Sequence, residues 1–129
     1  KYYQQAFLNY QLSEVSSCYH LPCTLNTPDK VVLLSNKDDC KQEFNAIFTQ
    51  LKAANTGDII AQKASFQLVS EQVCLVCIEW DFIDDQGSVF ADFVALYHVL
   101  DIDGALKIIN VVSHELNNSL SLEHKFTLA

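Results

Sequence analysis

Apolar and polar residues alternate along the second half of the chain in four long segments. These segments cover residues 59–70, 73–84, 89–101 and 105–115. The last three are separated by Gln86-Gly87 and Asp103-Gly104, which are typical of two-residue hairpin turns. The alternation therefore predicts four strands of a mostly antiparallel sheet.

The first residues show helical spacing instead. Tyr3, Phe7 and Tyr10 recur every three to four residues, so that their rings share one side of a helix. This spacing predicts a short amphipathic helix over residues 2–11, with its aromatic stripe toward the core.

A second short helix is predicted from Glu14 to Tyr19. Ser13 is its expected N-cap, because a serine hydroxyl can accept a hydrogen bond from the first helical turn. The helix is expected to end before Pro22, since Leu21 is disfavoured in the helical conformation by the proline that follows it.

A hairpin and a long helix come next. The segment Thr27-Pro28-Asp29-Lys30 predicts a turn between two short strands, because proline suits the second position of such a turn. Asn36 is expected to open a helix that continues to about Asn55 and carries one apolar stripe.

The resulting order is α-α-β-β-α-β-β-β-β, which is typical of an α+β fold. We expect a single domain over residues 1–129, with its core in residues 2–115. Residues 116–129 form a C-terminal extension without a firm pattern. This extension either adds a strand or packs on a partner.

Composition limits the classes of function. Half of the 129 residues are apolar and 19% are charged, which is typical of a globular chain. Sixteen acidic and eight basic residues give a formal charge of −8, which disfavours binding to nucleic acid. The chain has neither a membrane-length apolar stretch nor the layout of a secretory signal at its start. We therefore expect a cytoplasmic protein without nucleic-acid or membrane partners.

The five cysteines lie among apolar neighbours and are expected to be reduced. Cys74 and Cys77 have the spacing of half a zinc site. However, residues three apart on a strand point to opposite faces, and no second pair completes four ligands. We predict no metal and no cofactor.

Counting back from the turns assigns side chains to the two faces of the sheet. The Asp103-Gly104 turn places Phe93 opposite His114. The same count from Gln86-Gly87 places Trp80 opposite Phe93. A slip of one residue would reverse the assignment of a strand. The predicted inner face consists of Val76, Ile78, Trp80, Phe93, Ala95, Tyr97, Val99, Ile108, Asn110, Val112 and His114.

The opposite, outer face is also too apolar to lie in water. It includes Leu75, Cys77, Val94 and Leu96, and no further element is predicted to cover it. Such a face packs most readily against a second copy of the chain. We predict a homodimer through this outer face, with His98 as an interface residue.

The order of elements resembles a known superfamily. The helix pair, the passage Cys18-Tyr19-His20-Leu21-Pro22-Cys23, the long helix and the closing strands together resemble the nuclear transport factor 2-like superfamily, which has a cystatin-like fold. The similarity is to its bacterial SnoaL-like members and covers residues 2 to about 115. It implies a cone in which helices close over a strongly curved sheet and leave a pocket, often in a homodimer.

Members of that superfamily include ketosteroid isomerases, dehydratases and polyketide cyclases, and the fold does not select among them. The isomerase-like members carry a general-base aspartate directly before a proline at the end of the first strand. Thr27 occupies that place before Pro28, and threonine cannot act as that base. The resemblance implies that Tyr3 matches the tyrosine that donates to a substrate oxyanion.

His114 is the candidate catalytic acid or base, since histidine exchanges protons near neutral pH, and Tyr3 or Tyr97 would polarise a substrate oxygen. A structural role is the alternative for each, as core packing or as a hydrogen bond to the backbone. The residues expected to bind a ligand are Phe7, Tyr10, Tyr19, His20, Trp80, Phe93 and Asn110.

Three functions remain open from the sequence. The first is a protein whose apolar pocket binds a small, mostly hydrophobic molecule. The second is a cofactor-independent isomerase, dehydratase or cyclase. The third is a protein-interaction or scaffold module in which side chains fill the pocket, so that the sequence leaves catalysis undecided.

Overall fold

The computed structural model of the protein describes residues 2–127, and residues 1 and 128–129 of the predicted domain lie outside this range. The helices are α1 (Tyr2–Leu8), α2 (Leu12–Ser17) and α3 (Lys37–Ala53), followed late in the chain by a 3-10 helix (Leu116–Asn118). The strands are β1 (Tyr19–Asn26), β2 (Val31–Leu34), β3 (Thr56–Leu68), β4 (Val73–Asp84), β5 (Val89–Ile102), β6 (Ala105–His114) and β7 (His124–Phe126).

The strands form one curved sheet in the order β2-β1-β6-β5-β4-β3-β7. All neighbours are antiparallel except β1 and β6, which run parallel. The helices pack on the inner face, where Phe44, Phe48 and Leu51 of α3 are buried. The predicted α+β cone with a mostly antiparallel sheet is confirmed. Within residues 2–127, no helix is long and apolar enough to cross a membrane.

The start of α3 follows the sequence prediction. The Asn36 side chain accepts a hydrogen bond from the Asp39 backbone N–H at 2.9 Å, as an N-cap does. The Asp39 carboxylate in turn accepts from the Ser35 backbone N–H at 2.9 Å. These two bonds fix the direction in which α3 leaves β2, and thereby the side of the helix that faces the sheet.

The predicted bounds of the second helix are wrong. Its N-cap is Gln11, which makes no side-chain capping bond, and the Ser13 hydroxyl donates to Glu14 at 3.1 Å instead. The helix ends at Ser17, and the passage expected to close it already belongs to β1. Within that strand, which begins at Tyr19, the Leu21-Pro22 peptide bond is cis.

The pairing of β4 with β5 matches the predicted register. Trp80 lies opposite Phe93, Ile78 opposite Ala95 and Val76 opposite Tyr97. These residues therefore share the inner face, as predicted. The turn itself is longer than the predicted two residues, since Ile83 lies opposite Val89, and the extra residue Phe90 restores the register.

The predicted pairing of β5 with β6 is wrong beyond Ile108. Val99 lies opposite Ile108, but His98 lies opposite Asn110, so that Ile109 is an extra residue in β6. Such a β-bulge shifts the following residues by one position and reverses the face of each. Three residues expected on the inner face consequently lie on the outer face, namely Asn110, Val112 and His114. Val111 and Ser113 take their places on the inner face.

The C-terminal extension covers part of the outer face, contrary to the prediction that nothing does. β7 pairs with β3 at the edge of the sheet. Before it, the Ser119 hydroxyl donates to Glu79 at 2.8 Å, and the Leu122 backbone N–H donates to the Ser65 hydroxyl at 3.0 Å. The outer-face residues Ser65, Cys77 and Val94 are buried. The extension thus adds a strand to the domain.

Candidate functional site

A cavity of about 460 Å³ lies between the helices and the inner face of the sheet. Known small-molecule sites occupy roughly 300–1,000 Å³, so this volume falls within their range. The residues that line it come from α1 (Tyr3, Gln4, Phe7), from α3 (Phe44, Ile47) and from the strands (Tyr19, Trp80, Phe93, Ala95, Tyr97, Val111), among others.

One hydrogen bond at the closed end of the cavity joins β4 to β5. The Trp80 indole N–H donates to the Tyr97 hydroxyl oxygen at 2.8 Å, and both side chains are almost fully buried. An indole N–H can only donate, so Tyr97 must accept in this bond. The hydrogen bond from Trp80 therefore does not use the proton of the Tyr97 hydroxyl.

A second bond joins α1 to β1 beside the first. The hydroxyl oxygens of Tyr3 and Tyr19 are 2.8 Å apart. One hydroxyl donates and the other accepts, which leaves one phenolic proton of the pair free of this bond. The Tyr3 ring meets the Tyr97 ring edge-on, with centroids 6.2 Å apart. The two bonds thus lie side by side in the same cavity.

All three phenols are held in the neutral form. Burial raises the pKa of Tyr3, Tyr19 and Tyr97 well above the ordinary value of 10.0, because it penalises the charged phenolate. Electrostatic repulsion from a neighbouring phenol raises each pKa further, whereas one hydrogen bond lowers it, from Tyr97 in the case of Tyr3, from Tyr3 in the case of Tyr19 and from Trp80 in the case of Tyr97. At physiological pH the three side chains are hydrogen-bond donors, and none of them is a base.

The cavity becomes more exposed toward the turn between β1 and β2. Ala95 and Trp80 are only 1% and 2% exposed, whereas the lining residues Thr27 and Lys30 of that turn are exposed.

Aromatic rings extend from the cavity toward the turn between β4 and β5. The Phe82 ring contacts both the Phe93 ring, at 5.3 Å between centroids, and the ring of Phe90, which is 39% exposed, at 6.2 Å. An aromatic surface therefore continues from the cavity to the outside of the protein.

Charged side chains in the cavity are few. Apart from the tyrosines, the ionisable residues among its described lining are Lys30 and Glu43. Lys30 is exposed and Glu43 is half-buried. Thr27 also lines the cavity, so the position at which the isomerase-like proteins would carry a base holds a hydroxyl here.

Six of the residues predicted from the sequence to form the site line this cavity. They are Tyr3 and Tyr97, proposed for catalysis, and Phe7, Tyr19, Trp80 and Phe93, proposed for ligand binding. What they bind stays a prediction.

Four others lie elsewhere, so their predicted position is wrong. Tyr10 packs against Phe48 outside the cavity, because the chain turns there with a positive φ of 55°. His20 is exposed on β1. Asn110 and His114 face outward because of the Ile109 bulge.

Asn110 belongs to a separate hydrogen-bonded cluster on the outer face. Its side-chain oxygen accepts from the Thr24 hydroxyl at 2.6 Å and from the Asn26 amide at 2.7 Å. Its amide nitrogen lies 3.1 Å from His98 Nδ1, which must accept because an amide nitrogen donates. This cluster ties β1, β6 and β5 together.

Gln4 is a site residue that the sequence reasoning missed. It lines the cavity and is 9% exposed, and its amide nitrogen donates to the Ile59 carbonyl at 3.4 Å. A signal was present in the sequence, since Gln4 lies three residues before Phe7 and therefore belongs to the core-facing side of α1.

The cysteines offer no nucleophile to the cavity. All five are free thiols. Burial raises the pKa of Cys23 to about 11, and the nearby Cys40 contributes in the same direction. A thiol with such a pKa is protonated and unreactive near neutral pH.

Comparison with known proteins identifies relatives of this architecture. A family model described as NTF2-like protein (DUF6841) matches residues 1–116. No curated protein matches the chain.

Several solved structures are similar in fold. A protein of unknown function with a cystatin-like fold from Nostoc punctiforme superposes with a TM-score of 0.73 at 10% identity, covering 88% of this chain and 82% of that one. An NTF2-like protein from Novosphingobium aromaticivorans gives 0.73 at 6% identity, with 91% and 77% covered. A ketosteroid isomerase-like protein from Erwinia carotovora atroseptica gives 0.66 at 15% identity, with 87% and 86% covered. At these identities the similarity extends to the fold alone.

Proposed function

The chain belongs to the family of NTF2-like proteins (DUF6841), and from that premise we propose that its cavity binds a small, mostly apolar molecule carrying a neutral hydrogen-bond acceptor. A ketone oxygen is the simplest group of this kind. The observation that carries the proposal is the buried row of the Tyr97, Tyr3 and Tyr19 hydroxyls, which Trp80 joins by donating to Tyr97 and in which one phenolic proton has no acceptor.

Unused donors in a buried site favour a ligand that accepts hydrogen bonds. A buried donor without an acceptor costs about 1–3 kcal/mol, and a ligand oxygen placed between the two pairs would remove that cost. The surrounding rings of Phe7, Phe44 and Phe93 supply the apolar contact surface. Acceptor and apolar body together define the ligand class.

The acceptor is neutral rather than ionised. Lys30 is the one cation among the described lining residues, and it is exposed. The burial that opposes ionisation of Tyr97 equally opposes an ionised carboxylate beside it. A ketone, aldehyde or ester therefore suits the closed end of the cavity better than a carboxylic acid.

Binding is favoured over the two alternative functions. An isomerase, dehydratase or cyclase requires a base near the reacting atoms, whereas the closed end presents protonated phenols and Thr27 replaces the expected aspartate. Glu43 of α3 is the one carboxylate among the described lining residues, and no described hydrogen bond joins it to the phenols. A scaffold with a filled pocket would not need a cavity of about 460 Å³. The five free thiols suit a reducing compartment such as the cytoplasm.

The proposal is tested by thermal shift with a matched pair of three-ring compounds, fluorenone and fluorene. They share shape and apolar surface and differ in one carbonyl group. We expect saturable stabilisation by fluorenone that exceeds the response to fluorene and is reduced in Tyr97→Phe. Tyr10→Phe is the matched control, since its hydroxyl lies outside the cavity. Equal responses to both compounds, or none to either, would contradict the proposal.

We also propose that a second copy of the chain covers the remaining outer face. One row across that face runs Leu75, His98, Asn110, Thr24 and Leu33, and it contains no acidic or lysine side chain. An uncharged surface suits self-association of a chain with a formal charge of −8. Aliphatic residues at both ends of a polar centre allow two copies to pair about a two-fold axis.

Light scattering at micromolar concentration tests this second proposal. We expect the mass of a dimer for the wild-type chain and that of a monomer for Leu96→Asp, because Leu96 lies beside this row on the outer face. Leu106→Asp, at an exposed position near the start of β6, is the control and keeps the dimer mass. A monomeric wild-type protein, or a dimeric Leu96→Asp, would refute it.

A further inference from the structure

Gln4 carries a buried acceptor without a partner. Its Oε1 atom is shielded from solvent, and no donor among residues 2–127 reaches it. The orientation of the amide is fixed by its other end, because the Ile59 carbonyl can only accept and must therefore face the nitrogen. The oxygen is consequently the atom that is left over.

Gln4 belongs to the same wall of the cavity as the phenols. It follows Tyr3 in α1, Phe7 lies one turn further, and all three side chains line the cavity. The last torsion of a glutamine side chain is broad, so a small rotation can turn Oε1 toward a bound molecule. Such a rotation gives up only the long bond of 3.4 Å to Ile59.

We propose that the ligand presents a hydrogen-bond donor to Gln4 Oε1 in addition to the acceptor that it offers to the phenols. This inference rests on the proposed function and narrows it. The chemical class that carries both groups on an apolar body is a lactam, a carboxamide or a hydroxy-ketone. A plain ketone would bind with Gln4 left unpaired.

The unpaired atom makes the site selective. A buried group built to pair with a ligand N–H or O–H discriminates strongly against an analogue that lacks it, because the analogue leaves that group without a partner. Between two ligands of the same shape, the Gln4 amide oxygen would thus favour the one that carries an N–H or O–H donor. The phenols would not distinguish them.

Calorimetric titration with two related compounds tests the inference. Phenanthridinone is a three-ring lactam, and benzochromenone is the lactone of the same ring system. Both carry the carbonyl oxygen, and only the lactam carries an N–H. We expect the wild-type protein to bind the lactam about tenfold more tightly. Equal affinities would overturn the inference while leaving the proposed function standing. If neither compound binds, both fail.

Two variants assign the preference to Gln4. Gln4→Met keeps the length of the side chain without its amide and is expected to bind lactam and lactone equally. Gln4→Leu repeats the test if the first variant is unstable. Gln5→Met is the matched control, because Gln5 is exposed on the same helix, and it keeps the tenfold preference. A preference that persists in Gln4→Met would overturn the assignment.

Discussion

Two hydrogen-bonded clusters of side chains occupy opposite faces of the same sheet. The inner cluster consists of Tyr3, Tyr19, Trp80 and Tyr97. The outer cluster consists of Thr24, Asn26, His98 and Asn110. Both join several elements, and the outer cluster is half-buried whereas the inner cluster is largely buried. They differ further in the hydrogen-bonding capacity that remains. That difference separates a candidate binding site from a structural brace.

The central polar atoms of the outer cluster all have hydrogen-bond partners. Asn110 Oδ1 accepts two bonds, and the Asn26 amide donates both to it and to the Val111 carbonyl at 3.1 Å. The inner cluster leaves one phenolic proton unused, beside the unpaired oxygen of Gln4. Polar residues in a cluster therefore indicate a ligand when their donors and acceptors are incompletely paired, rather than by their presence alone.

Among the changes considered, alkaline pH should have the largest effect on the free energy of unfolding, and it should act through the inner cluster. Phenols whose pKa is raised on folding stabilise the protein at pH values below the unfolded pKa of 10.0, and this contribution is lost as pH rises through the folded pKa. Above pH 10 we expect the free energy of unfolding to fall by about 1.4 kcal/mol per pH unit for each buried phenol.

Urea midpoints measured between pH 8 and 11 check this expectation. Cys23, with a pKa of about 11, adds a loss in the same direction. The Tyr97→Phe variant isolates the phenol contribution, since its stability should fall less steeply than that of the wild type. Tyr10→Phe should follow the wild-type slope. Identical slopes for all three proteins would be inconsistent with burial as the cause.

Breaking the outer cluster should affect stability and not binding. Asn110→Ala removes the partner of Thr24, Asn26 and His98 at once and should lower the free energy of unfolding by about 2–3 kcal/mol. Fluorenone affinity should stay within about twofold when measured below the unfolding transition. Asn117→Ala, at an exposed position, is the control. A large loss of affinity would place Asn110 in the site after all.

Counting protons predicts an asymmetry within the inner cluster. Tyr97→Phe removes one donor from the row of hydroxyls and should lower ketone affinity about tenfold. Tyr3→Phe should cost less, about threefold or below, because it removes the partner of both Tyr97 and Tyr19, which then keep their protons for the ligand. Calorimetric titration of both variants with fluorenone measures the difference. An equal loss of fluorenone affinity in both variants, or a larger loss in Tyr3→Phe, would contradict this count of phenolic protons.

The smallest effect is expected for the histidines that the sequence suggested. His114→Ala and His20→Ala change exposed side chains outside the cavity. Each should alter the free energy of unfolding by no more than about 0.5 kcal/mol and leave ligand affinity unchanged. A clear loss of affinity in either variant would show that the cavity is not where the ligand binds.

The sequence predicted much of the inner cluster because its residues follow simple spacing. Trp80 and Tyr97 lie in strands that alternate clearly, and their register was predicted correctly because the extra residue Phe90 offsets the longer turn. Tyr3 lies on a clear aromatic stripe. The cap of α3 was visible for the same reason, since Asn36 and Asp39 have capping spacing. Local patterns of this kind can be recognised from the sequence without knowledge of the fold.

The outer cluster was misplaced because its register is set by a distant strand. Ile108-Ile109 and Val111-Val112 are adjacent apolar pairs, so alternation along β6 does not show which residue is extra. The parallel pairing with β1, which places Thr24 opposite Asn110, decides it. The sequence likewise could not predict that Gln4 Oε1 has no donor, because that depends on which groups the fold brings near this atom.

The carbonyl stretching frequency of bound fluorenone tests the central claim most directly, since it reports whether phenolic protons are donated to the ligand. The account predicts that infrared spectra of the complex show the band below its position in hydrocarbon solvent, and that part of this shift is lost in Tyr97→Phe. A band at the hydrocarbon position would mean that the carbonyl accepts no hydrogen bond in the cavity, and the phenols of the inner cluster would then have no role in binding.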